Sequence, residues 1–139
     1  MENTAVLERI AKIYWHDLGV QQCRFNQDDA EVDVGWRDGK PKFTFTFGDV
    51  LYVEYWAWLS ENLETVELLE QHPRLTAITQ NMHLEAAVEA LIGGEEPGKV
   101  IEELPRPFAM RFRAKVPYQP HLLIIAISIE MTEHDLAPK

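Results

Sequence analysis

Asp38-Gly39 lies between two stretches whose apolar residues alternate, and this constrains the fold more than any other part of the chain. Asp-Gly is the dipeptide of a type I′ hairpin turn, whose two central residues need positive φ. With Asp38 and Gly39 as the loop, Arg37 faces Lys40. Counting outward, Val34 opposes Phe43, Val32 opposes Phe45, Asp33 opposes Thr44 and Glu31 opposes Thr46. Every apolar pair falls on one face and every polar pair on the other, and a slip of one residue destroys the agreement. Turn chemistry and side-chain pattern therefore specify the same antiparallel pair.

The C-terminal third carries a second pair. Phe108, Met110, Phe112, Ala114 and Val116 alternate with Ala109, Arg111, Arg113 and Lys115, which describes a half-buried strand with a basic outer side. Pro117 to Pro120 supplies a turn. Residues 121–131 are almost all apolar, as in a central strand covered on both faces. Residues 20–25 read as a further short strand. Residues 50–58 read as a strand after a tight turn at Gly48-Asp49, with Leu51, Val53, Tyr55, Ala57 and Leu59 on one face; a helix capped by Asp49 is the alternative.

Helices are expected at three places. Over residues 4–17, Val6, Ile10, Ile13, Tyr14 and Leu18 form an apolar face, with Asn3 or Thr4 as cap, Glu8 and Lys12 as an outer pair and Gly19 as terminator. Glu61 to Gln71 would turn Leu63, Val66 and Leu69 inward. A helix after Pro73 would end at Gly93 and bury Leu84, Ala87, Val88 and Leu91. The expected order is α-β-β-β-(β)-α-α-β-β, an α+β fold with an antiparallel sheet of five to six strands covered by helices, in one domain of 139 residues. In element order and acidity the chain resembles class I type III secretion chaperones, but it ends on a strand and a polar tail where those end on a helix.

Cys23 is the only cysteine, so no internal disulfide forms, which suits a reducing compartment. The first residues lack a signal-peptide layout, and the longest apolar run, Leu122 to Ile129, is too short to span a bilayer. A cytoplasmic protein is expected. Thirteen Lys and Arg stand against 23 Asp and Glu, a net charge of −10. That balance disfavours nucleic acid and anionic membranes and favours a basic protein partner.

No motif names a reaction or a cofactor. Gly93 to Lys99 has phosphate-loop spacing, but Val100 stands where a hydroxyl should bind magnesium, the stretch follows a helix, and Glu95 and Glu96 oppose phosphate; an ordinary loop is the better reading. The five histidines offer no three- or four-residue spacing, so no metal site is expected. Cys23 reads as an inert, partly buried thiol. Glu54 would gain a raised pKa if buried beside Tyr52 and Trp56, and otherwise points to solvent. The basic stripe of Arg106, Arg111, Arg113 and Lys115 pairs with the glutamates of 61–70 or receives an acidic partner.

The favoured function is a non-enzymatic protein-binding module of chaperone, immunity or inhibitor type that self-associates as a two-fold dimer. Trp56, Trp58, Arg111 and Arg113 are the candidate contact residues. Two alternatives stand beside it. One is a ligand-binding protein or enzyme with a pocket of Tyr52, Trp56 and Phe112 and Glu54 or His121 as polar group. The other is a nucleic-acid mimic using the glutamates spaced by three from Glu61 to Glu70.

Overall fold

The structure, a computed structural model, describes residues 2–13, 15, 18–36, 39–56, 63–114 and 121–134, with the backbone alone at Glu2, Trp56 and Glu64. Its elements are α1 (Glu2–Ile10), β1 (Gly19–Asn26), β2 (Asp29–Gly35), β3 (Pro41–Trp56), β4 (Leu63–Leu69), α2 (Pro73–Ile92), α3 (Pro97–Glu102), β5 (Phe108–Ala114) and β6 (His121–Glu133). The six strands form one antiparallel sheet in the order β1-β2-β3-β6-β5-β4, so the α+β expectation holds.

The spine of the sheet is the long pair β3 and β6. The first half of β3 carries the β1-β2 hairpin on its other side, in the register read from the sequence, including Val34 with Phe43 and Asp33 with Thr44. The turn itself differs. Gly39 N donates to Trp36 O (3.0 Å), so Gly39 closes a four-residue turn instead of occupying its centre, and Gly35 pairs with Pro41 across a register shift. Arg37 and Asp38 lie outside the described residues.

Residues 50–56 are strand, but they continue β3 and follow no reverse turn. Asp49 sits at φ 51° and Val50 N donates to Asp28 O (2.6 Å). Gly48-Asp49 is thus an irregularity at which β3 leaves β2, after which its partner is β6 alone. The β5-β4 pair joins β6 over its first half only. The other half of β6 is edged by α1, where the Asn3 carboxamide donates to Ile127 O (2.9 Å) and accepts from Ile129 N (3.1 Å), taking the place of a strand.

Asn3 is therefore no helix cap, and α1 ends at Ile10, seven residues before the expected end. The chain turns inward there because Trp15 is buried, its ring 5.6 Å from Phe43 and 5.9 Å from Phe45, with Nε1 donating to Ile10 O (3.3 Å). Gly19 begins β1 instead of ending a helix. Phe43, Phe45, Phe47, Phe108 and Phe112 continue this aromatic core, which draws on every strand and on α1. Leu63 N donates to Leu18 O (2.8 Å), tying the start of β4 to the approach to β1, so the sheet wraps around that core.

The helix expected over Glu61 to Gln71 is instead β4, and the first of the two later helices is α2. A register shift between Leu63 and Thr65 explains the misreading: it lets Leu63 and Val66, three residues apart, both enter the core as they would from a helix. Pro73 opens α2, with His72 Nδ1 accepting from Arg74 N (3.1 Å) as N-cap, and Gly93 closes it. Gly94, at φ 74°, lets the chain turn into α3. The Gly93 to Lys99 stretch is thus a helix-to-helix junction.

Candidate functional site

The side of the sheet away from the aromatic core holds most of the candidate residues. Successive rungs run across β3, β6, β5 and β4: Tyr52, Ile125, Ala109 and Leu69, then Glu54, Leu123, Arg111 and Glu67. In the next rung Trp56 pairs with His121, His121 with Arg113, and Arg113 with Thr65. Leu75 and Ile78 of α2 rest on the apolar rung of Ala109 and Ile125. The surface therefore passes from apolar beneath α2 to polar beyond it.

Glu54 is the centre of the polar part. Tyr52 O–H donates to its Oε1 (3.0 Å), and its Oε2 lies 2.7 Å from His121 Nε2. The bonds from His121 and Tyr52 outweigh desolvation and hold the carboxyl below its ordinary range. The Glu54 side chain is 42% exposed, in keeping with the solvent-facing alternative, and the buried alternative with a raised value is not the one found. An ionised carboxylate only accepts, so Nε2 carries the proton it shares with Glu54. Arg74 stacks over the Tyr52 ring at 5.2 Å. Both Glu54 oxygens are engaged, so the group orients Tyr52 and His121.

Arg111 donates from Nε to Glu67 Oε1 (2.9 Å), and its Nη2 reaches the same oxygen. At Arg111 the basic stripe thus meets one of the chain's own glutamates, as one of the two readings expected, although from a strand. Among the described residues the helical glutamate row behind the mimic reading is not formed, since residues 63–69 are β4, and Glu61 lies outside the described residues. Phe112 is fully buried on the opposite side, against Phe45 at 5.6 Å, because alternation along β5 separates it from Arg111 and Arg113. The aromatic pocket that included Phe112 is therefore not assembled. Trp58 and Lys115 lie outside the described residues, and Trp56 is described by its backbone alone.

A second polar cluster crosses β1, β2 and β3. Arg24 grips Asp33 with two bonds (2.6 and 3.1 Å) and donates to Glu31 (3.1 Å). Thr44 O–H donates to Asp33 Oδ1 (2.7 Å), so the contact of Thr44 Oγ1 with His134 Nε2 (2.7 Å) takes its proton from the imidazole. The Arg24 guanidinium, helped by Thr44, holds the Asp33 carboxyl below its usual range. The Thr44 proton points at a carboxylate whose basicity Arg24 lowers, and both groups are buried, so this chain of bonds is structural. Burial, reinforced by Asp33, pushes the Cys23 thiol up to about 11, which disfavours a thiolate nucleophile.

No family model, curated protein or solved structure matches the chain. Function is therefore argued from the surface itself.

Among the described residues, the most exposed apolar surface is on α2. Of the stripe expected to be buried, Leu84 is 62% exposed, Val88 47% and Leu91 68%, while Ala87 is half-buried, and Ile92 beside them is 81% exposed. The buried positions of α2 are Ala86 and Ala90 on the other side, and α3 is its principal packing partner. Sequence reasoning found the stripe and assigned it to the wrong side. The signal lay in the same helix: Leu75, Met82, Ala86 and Ala90 form a second apolar line opposite the first. Arg74 and His72, which flank the Glu54 cluster, went unnoticed because their relation to Tyr52 depends on where α2 begins.

Proposed function

We propose that the chain is a non-enzymatic protein-binding module and that the outward stripe of α2 is its recognition surface. The observation that carries this reading is Leu84, Val88, Leu91 and Ile92 exposed together on a helix whose other side is already packed. A helix with apolar lines on two opposite sides gains from cover on both, and contiguous apolar patches of this kind mark interaction sites. The internal satisfaction of the polar clusters supports a binding role over a reactive one. Of the contact residues expected from sequence, Arg111 already holds Glu67, which shifts the proposed surface from the sheet to α2. Residence in the cytoplasm fits this role, and among the described residues no helix is long and apolar enough to cross a membrane.

The test compares the intact chain with a Leu84→Glu/Leu91→Glu variant as bait in a lysate of the source organism. A partner held stoichiometrically by the first and lost by the second is the expected outcome. Equal capture by both moves the surface elsewhere.

A further inference from the structure

We infer that the occupant of the α2 stripe is a basic amphipathic helix of a partner protein, laid along α2 with cationic side chains over Glu85 and Glu89. This rests on the reading of the chain as a binding module and names the chemistry of what binds. Two features select that occupant. The first is shape. Leu84, Val88 and Leu91 are spaced four and three residues apart, the spacing at which one helix accepts side chains from another, and Ile92 widens the stripe near its end. A helix spends its backbone hydrogen bonds internally, so α2 offers a partner side chains and no strand edge.

The second feature is charge. Glu85 and Glu89, four residues apart, form a row along one margin of the stripe, and Glu95 and Glu96 follow the end of the helix. All four are exposed, and among the described residues none is in an ion pair. The whole chain adds a net charge of −10. A helix carrying Lys or Arg beside its apolar side chains complements this margin. A second copy does not, because an antiparallel two-fold pair of α2 helices sets the Glu85 and Glu89 row against its own duplicate, between two bodies of like charge. The expected homodimer is therefore the weaker occupant.

The test uses the full chain and three synthetic peptides as long as α2, measured by calorimetry. One repeats Leu and Lys at amphipathic helical spacing, one scrambles that order, and one replaces Lys by Glu. The ordered Leu/Lys peptide is expected to bind at least roughly tenfold tighter than either control, with affinity falling as salt rises. A Glu85→Lys/Glu89→Lys variant is expected to prefer the Leu/Glu peptide, and a Leu84→Ser/Leu91→Ser variant to lose both. Equal binding of the scrambled peptide shows attraction to net charge alone. Equal binding of the Leu/Glu peptide shows that the margin does not select, and absence of binding by all three shows that α2 takes no such helix. Each of these overturns the inference, as does a dimer in sedimentation equilibrium at pH 7 that the Leu84→Ser/Leu91→Ser variant disperses. The lysate comparison is read separately: if it still separates the intact chain from its Leu84→Glu/Leu91→Glu variant, the module stands and only its occupant changes.

Discussion

At the scale of residues, the polar groups of the two sheet clusters are spent on one another, and the titration of Asp33 is the measurable consequence. Asp33 is 7% exposed and bound by Arg24 and Thr44. Its pKa is lowered in the folded chain, so the unfolded chain takes up the proton first as pH falls. The stability Asp33 contributes is therefore complete above the ordinary aspartate value of about 3.9 and is lost below it. Asp33→Asn is expected to cost about 1–3 kcal/mol at pH 7 in urea unfolding, with the difference from the parent chain shrinking as pH falls through that range. A constant difference down to the acid transition would show that the charge contributes nothing. For Cys23, alkylation at pH 8 is expected to run about two orders of magnitude slower than for a free thiol and to recover in denaturant. Part of this was legible in the sequence, because the hairpin register already set Asp33 against Thr44. Arg24 and His134 were not legible, since their places depend on β1 pairing with β2 and on β6 returning beside β3.

The elements show where local signals are ambiguous. Gly48-Asp49 has the composition of a reverse turn, but a positive φ also serves a strand that must bend, and β3 uses it in that way. Asp tolerates this conformation better than most residues, whereas a β-branched side chain does not. Asp49→Gly is expected to leave the midpoint of thermal unfolding unchanged or slightly higher. Asp49→Val is expected to lose about 1–2 kcal/mol. Equal stability of the two variants would mean that the bend is not held in the folded chain. The same ambiguity hid β4, whose register shift gives Leu63 and Val66 the spacing of a helix. By contrast β6 was plainer in the sequence, because a short apolar run rich in β-branched residues favours a strand buried on both sides: Leu122 and Ile124 enter the aromatic core while Leu123 and Ile125 face the α2 side.

The whole molecule sets an outward apolar stripe against a large negative charge, and the balance between them depends on pH. The stripe lies outside the core, so Leu84→Ser/Leu91→Ser is expected to alter unfolding free energy by no more than roughly 0.5 kcal/mol per site, while Phe112→Ala costs about 3–5 kcal/mol. Periodicity could identify the stripe, but only the packing of Ala86 and Ala90 decides which side of α2 is inward. At neutral pH the charge of −10 keeps copies apart. Near the isoelectric point of about 4.9 the net charge approaches zero and that repulsion vanishes. Self-association of the parent chain is therefore expected to rise as pH approaches 5. Light scattering across pH 7 to 5 checks it: the Leu84→Ser/Leu91→Ser variant, with the same charge at every pH, should remain dispersed where the parent chain associates. If the two scatter alike, association depends on charge alone, and the stripe is not the surface through which copies meet.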